Sequence, residues 1–316
     1  MKTSDVLNIN RQDIELNDLA KKMIPEFKSF NPVEHLPESF YINIVASRRS
    51  GKGITSEWIL NQFQKSDRKF DNIFLISPTG DTNFLGIPPS YKFDSLDILE
   101  YIMKKQRDIK EHNGHIVRDY ERNHVKSRIC ILIDDLAFGG QIHHSKIMDE
   151  LAFNGRHLSN PVGREGNCLS VIVLSQQLSK ISPGQRRNND FIIFNSMSSS
   201  LEAESVLCEC FFVIDSSRRG KAFARKLYQN LTTSKDYRFL AVGNCIQNRK
   251  KFTDFIFTSD AVIQKPFKLF GETKEWVGDT YFSRQDKSKG NNGNSSTENA
   301  PAVGLHKKIR LNVKIN

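Results

Sequence analysis

No stretch of this chain approaches the roughly 18 consecutive apolar residues that a helix needs to cross a bilayer. The amino-terminal residues MKTSDVLNINRQD contain no apolar core of a secretory leader. The expectation is a protein that stays where it is made, in a cytosol-like compartment. Cysteine is scarce. The five residues, Cys130, Cys168, Cys208, Cys210 and Cys245, are odd in number and scattered, which argues against a disulfide framework. Cys130 and Cys168 fall in or beside apolar runs and read as reduced core residues. Cys208 and Cys210 form a Cys-x-Cys, but neither a second pair nor a His-x-His follows at zinc spacing. No internal repeat is present. Acidic residues are outnumbered, 36 Asp and Glu against 46 Lys and Arg, for a formal net charge of +10. Such an excess favours polyanionic partners, although a solvated basic surface reads the same way on charge alone.

The 316 residues allow one large or two modest domains. The hydrophobic share of 38% and charged share of 26% suit a globular chain with a proper core. Residues 1–39 are mixed and polar, with an amphipathic stretch from Leu16 to Phe30, and read as an N-terminal arm. Short apolar runs at 41–47, 72–78, 128–136, 168–176, 190–197 and 237–244 read as buried strands. Helical patterns lie between several of them, at 54–63, 94–123, 145–153 and 216–230. Buried strands alternating with helices predict an α/β fold with a mainly parallel central sheet flanked by helices. From about residue 283 the chain becomes polar and low in complexity, then basic. The predicted organisation is an arm over 1–39, a domain over 40–282 and a disordered basic tail over 283–316.

The first strand runs into Ala46–Gly53, ASRRSGKG, and then into a helical pattern. Strand, loop closing in Gly-Lys, and helix together make a phosphate-binding loop. Its backbone N–H groups and the helix N-terminus wrap a β-phosphate while the lysine neutralises the β and γ oxygens. Ser47, Arg48, Arg49, Ser50, Gly51, Lys52, Gly53 and Ile54 are the expected nucleotide-binding residues. Ala46 stands where the motif has its first glycine. Gly53 stands where it has the Ser or Thr that holds Mg²⁺, and the next hydroxyl is Thr55. Three arrangements stay open: Mg²⁺ held by Asp134 and waters, Thr55 reaching in, or weak metal binding.

Asp134 and Asp135 end the most apolar run, RICILI, about eighty residues after Lys52. Paired carboxylates at the end of a buried strand are costly unless their charge is used. In a P-loop ATPase the first orients Mg²⁺ through water and the next polarises the attacking water; Asp134 takes the metal role and Asp135 that of general base. Gln176, at the tip of the fourth strand, suits a contact with the attacking water and the γ-phosphate. Arg186 and Arg187 lie in the following loop, where a ring assembly would bring them to a neighbour's nucleotide as an arginine finger. Each motif also has a plain reading as a basic turn, an acidic turn or exposed arginines; their joint presence favours an ATPase.

The order of these motifs resembles the genome-packaging ATPases of large nucleocytoplasmic DNA viruses and virophages, in the FtsK–HerA superfamily. The resemblance rests on INIVASRRSGKG, FLISPTGDTN, ILIDDL, FNGRH at 153–157 and VIVLSQQLSKISPGQRRNND at 171–190, and covers roughly residues 40–262. It implies a RecA-like fold in a homo-oligomeric ring around double-stranded DNA, with ATP and Mg²⁺ as cofactors and a capsid vertex or portal-like protein as partner. The implied location is the host cytoplasm, in the virus factory, or the virion. It also implies Arg186 as the finger, with Arg187 in reserve, and marks Arg156 and His157 as a signature without an assigned role. Gly53 departs from the usual Lys-Thr or Lys-Ser. Two other readings remain: a degenerate P-loop protein that binds nucleotide or DNA without turnover, and a nucleotide kinase, suggested by Gly-Lys-Gly but lacking an Arg-rich lid.

Overall fold

The computed structural model describes residues 14–22, 27–77, 84, 86–115, 125–134, 145–162, 165–197, 217–233, 236–247 and 251–262. Asp135, Cys208, Cys210 and the predicted tail lie outside them.

Among the described residues ten strands form one sheet. They are β1 (Lys28–Ser29), β2 (Tyr41–Val45), β3 (Asn72–Ile76), β4 (Lys92–Phe93), β5 (Ser127–Ile133), β6 (Asn160–Val162), β7 (Glu165–Ser175), β8 (Phe191–Phe194), β9 (Arg238–Gly243) and β10 (Ile256–Asp260). Their spatial order is β1-β10-β9-β8-β2-β7-β5-β3-β4, and β6 pairs with β7 off this path. From β8 through β2, β7, β5 and β3 to β4 every pairing is parallel. The antiparallel pairs are β8 with β9, β9 with β10, and β6 with β7. This is the mainly parallel, RecA-like P-loop arrangement expected from the sequence. β7 is inserted between the strand that leads to Lys52 and the strand that leads to Asp134.

The strands read as unbroken apolar runs because helices cover both faces of a parallel sheet. Every residue of β2, β3 and β5 is buried. Each fully buried Ile or Leu contributes about 1.5–3 kcal/mol. The helices are α1 (residues 14–22), α2 (Pro32–His35), α3 (Lys52–Gln64), α4 (Ile98–His115), α5 (Lys146–Asn154), α6 (Pro183–Asn188), α7 (Arg218–Thr233) and α8 (Phe252–Phe255).

α4 begins at Ile98, four residues after the predicted start. Lys92 and Phe93 instead extend the sheet beside β3, and the Ser95 hydroxyl accepts the Asp97 N–H in a turn (3.2 Å). Its predicted end beyond His115 lies outside the described residues. The buried side of α4 carries Leu99, Ile102, Met103, Gln106, Ile109 and Asn113. The two polar members are paired: Gln106 donates to Ser127 Oγ (2.8 Å), and Asn113 exchanges two hydrogen bonds with the Val125 backbone.

Residues 27–36, ahead of the predicted domain start, are built into the core. β1 pairs in parallel with β10, and Phe30 packs against Phe191, Phe239 and Phe257. Arg68 clamps this segment, its Nη1 donating to the carbonyls of Val33 and Leu36 and its Nη2 to that of Pro37. Glu38 bridges Arg68 and Arg128. Cys130 and Cys168 are buried and free, as expected of core thiols, and burial pushes both upward in pKa.

Candidate functional site

The carboxyl edge of the sheet gathers most of the predicted residues. Ala46 N–H donates to the Ser175 carbonyl (3.1 Å), and Asp134 N–H donates to the Ile76 carbonyl (2.9 Å). Register places Val45 opposite Ser175 and Ile133 opposite Val173. Lys52, Asp134 and Gln176 therefore leave three adjacent strands at one edge.

The loop has the geometry that an anion needs. Gly51 caps α3 with φ +98°, in the left-handed region open to glycine. Gly51 has no side chain with which to cap the helix, and the first turn contains no acidic residue, which suits the approach of an anion to the orphan N–H groups and the positive end of the dipole. Arg49 also sits at positive φ, +61°. The Lys52 ammonium lies within the loop's curve and donates to the carbonyls of Ala46 (2.9 Å) and Ser47 (3.2 Å). Ser50 Oγ closes the turn on the Ser47 carbonyl (2.5 Å). Arg48 is exposed, and Ser47, Ser50, Gly53 and Ile54 are partly so.

The metal roles separate. Asp134 is partly exposed at the end of β5. Thr55 is wholly buried, and its hydroxyl accepts a hydrogen bond from Asn195 Nδ2 (2.9 Å). Two residues along an α-helix turn the side chain by roughly 200°, so Thr55 faces away from the side on which residue 53 would offer a hydroxyl. A Cβ built on Gly53 meets only Phe84 Cζ, at 4.0 Å; space for a side chain exists there. Among the described residues no three His, Cys, Asp or Glu side chains converge. A single carboxylate suits Mg²⁺, which keeps most of its waters and takes substrate phosphates as ligands.

Arg186 spans the two edges: its backbone lies toward the amino end of β8, and its side chain turns back to the segment that follows Gln176. It lies on α6, where Ser182 Oγ accepts the Gln185 N–H (3.2 Å). Its Nη1 donates to the Leu178 carbonyl (3.1 Å), and its carbonyl accepts from Asn244 Nδ2 (3.5 Å). Asn244 follows Gly243, which pairs with Phe191 at the amino end of β8. Arg187 is exposed beside it. The same edge receives Arg156 and His157, both exposed on the turn after α5. A small cavity there is lined by Tyr41, Arg156, Asn188 and Asp190. Asp190 accepts the Tyr41 N–H (2.8 Å), and burial raises its pKa against the opposing pull of that bond and of Arg156. The FNGRH and QRRNND segments thus meet at the amino edge, away from the loop.

Two residues at the carboxyl edge were not singled out in the sequence. Asn195, fully buried, links the end of β8 to α3 through Thr55. Tyr237, just before β9, lays its ring against Gly51: a Cβ built there would fall 2.8 Å from Tyr237 Cδ1. Neither belongs to a local motif, and both reach the loop only through pairing of β8 and β9.

A family profile described as Poxvirus A32 protein matches residues 27–267. No curated protein matches the chain. Among solved structures, the genome packaging NTPase B204 from Sulfolobus turreted icosahedral virus 2, in complex with AMPPCP, is 14% identical with a TM-score of 0.45, covering 72% of this chain and 100% of its own. The pCW3 conjugation coupling protein TcpA is 15% identical with a TM-score of 0.48, covering 83% and 75%. EssC (ATPases 2 and 3) from Geobacillus thermodenitrificans is 14% identical with a TM-score of 0.42, covering 79% and 44%.

Proposed function

This chain belongs to the Poxvirus A32 protein family, and from that premise we propose that it hydrolyses ATP to drive double-stranded viral DNA into a preformed capsid. The observation that carries the ATPase reading is the alignment of Lys52, Asp134 and Gln176 at one sheet edge, on the strands that flank and include the phosphate loop. Lys52 and the N–H groups of the loop hold the β- and γ-phosphates. Asp134 would hold the water shell of Mg²⁺, which on binding neutralises charge between those phosphates. Gln176 orients the attacking water, and Asp135 accepts its proton. Arg186 serves the nucleotide of the next subunit in a homo-oligomeric ring.

Support for duplex DNA as the cargo comes from charge. α7 carries no Asp or Glu, and its Arg219 and Lys221 are exposed; with the net charge of +10 this suits contacts to phosphates that do not read sequence. No described helix is long and apolar enough to cross a membrane. A capsid vertex or portal-like protein is the expected docking partner, in the virus factory or the virion.

One observation favours a second reading. Gly53 offers no hydroxyl and Thr55 faces inward, which suits a loop that binds nucleotide or DNA without turnover. Steady-state ATPase assays with Mg²⁺, with and without double-stranded DNA, separate the two. DNA-stimulated hydrolysis that Lys52→Ala abolishes is the expected result. ATP binding without hydrolysis in either condition would replace the motor by the non-catalytic reading, and phosphate transfer to a nucleoside monophosphate would make it a kinase.

A further inference from the structure

The strand order sets a direction across the carboxyl edge. It runs β9, β8, β2, β7, β5, with the phosphate loop after β2, Gln176 after β7 and Asp134 after β5. The γ-phosphate and the attacking water lie with the acidic residue and the glutamine. A triphosphate in the loop therefore points its γ end toward β7 and β5. Its α-phosphate, ribose and base emerge on the opposite side, over β8 and β9.

Tyr237 stands on that side. β9 runs antiparallel to β8, with Leu240 opposite Phe194, so β9 starts at the carboxyl edge and Tyr237 sits at that start. The ring faces Gly51, and its Cδ1 and Cε1 lie 2.8 and 3.6 Å from the position a Cβ would take there. The side chain is only partly buried. The backbone is at φ +55°, a conformation rare for an aromatic residue. The Tyr237 carbonyl accepts the Ala261 N–H (3.1 Å), which ties this conformation to the end of β10. Strained backbone persists where the surroundings impose it, and it concentrates at ligand clamps. Here it delivers an aromatic side chain to the phosphate loop at Gly51.

We propose that Tyr237 is the base-recognition residue of the site, its ring forming a stacking surface for the base of the bound nucleoside triphosphate. This rests on the phosphate-loop reading above and adds what that reading lacks, a contact to the nucleoside. Stacking of a base on an aromatic ring is worth roughly 5- to 150-fold in affinity by alanine substitution. It uses the π face and not a hydrogen-bonding edge, so it favours large purines over pyrimidines without separating adenine from guanine.

The test compares ATP with inorganic tripolyphosphate, which has the phosphates but no base. Calorimetric titration of the full chain uses wild type, Tyr237→Ala, Tyr237→Phe and Lys52→Ala. Wild type is expected to bind ATP at least about 5-fold more tightly than tripolyphosphate. Tyr237→Ala should erase that gap by weakening ATP alone, and Tyr237→Phe should restore it. Lys52→Ala should weaken both ligands. Equal weakening of both by Tyr237→Ala would make the ring a mere wedge behind Gly51 and overturn the proposal, as would no change in either. A wild-type chain that binds neither ligand, with unchanged thermal unfolding, would remove the phosphate-loop reading and this inference with it.

Discussion

Gly51 and Gly53 are two residues apart, yet the structure makes opposite demands of them. At Gly51 the backbone is at φ +98°, where an L side chain costs about 1–2 kcal/mol. An added Cβ would also fall 2.8 Å from the Tyr237 ring. Moving that ring off its rotamer adds on the order of 0.5–1.5 kcal/mol. Gly51→Ala should therefore lower stability by roughly 2–3 kcal/mol. Gly53 is in the first turn of α3 at ordinary helical φ, and its Cβ would meet only Phe84 Cζ at 4.0 Å. Gly53→Ala should raise stability by about 0.5–1 kcal/mol through reduced freedom of the unfolded chain. Urea unfolding of both variants measures these values. The double variant Gly51→Ala/Tyr237→Ala divides the Gly51 penalty: relief of the clash should recover about 1 kcal/mol, while the backbone part stays. A neutral Gly51→Ala, or a Gly53→Ala that loses more than about 1 kcal/mol, would refute the loop geometry on which the nucleotide site depends.

Arg186→Ala should abolish hydrolysis while leaving ATP binding intact, because a finger in trans stabilises transition-state charge and does not hold the bound nucleotide of its own subunit. Mixing it with wild type should depress activity more steeply than in proportion to its share; a linear dilution curve would argue against a finger in trans. Arg68→Ala removes the donors to three carbonyls of residues 33–37 and leaves Glu38 with Arg128 alone. It should lower stability by about 2–4 kcal/mol in urea unfolding, and a loss under ~1 kcal/mol would show that the amino-terminal segment holds without its clamp. His35 accepts the Asn31 N–H through Nδ1 (2.9 Å) and lies against Phe257. Burial holds its pKa below the ordinary 6.5, with Glu34 opposing. Its contribution to stability should be complete above about 6.5 and lost as pH falls toward the folded value, because the unfolded chain takes up the proton first. His35→Gln should flatten the melting temperature between pH 7 and pH 5, and an unaltered slope would place the sensitivity elsewhere.

The sequence by itself determined the class of fold and the place of the Gly-Lys loop between β2 and α3. Strands covered on both faces must be apolar without interruption, so the runs at 41–47, 128–136 and 168–176 were legible as strands, although their ends differ from those of β2, β5 and β7. The loop was legible because a close phosphate approach needs glycine and lysine at a fixed spacing between a strand and a helix. Even the inward turn of Thr55 followed in principle from its angle around α3 relative to Gly53. What only the tertiary structure decided was adjacency. β7 separates β2 from β5 although it follows both in the chain. Lys28 and Ser29 join β10 more than two hundred residues away. Tyr237 reaches Gly51, and Arg156 comes to the edge where Asp190 holds the Tyr41 N–H. Pairings of that span leave no local period in the sequence, since they are selected by how all the buried faces close together and not by any single segment's pattern.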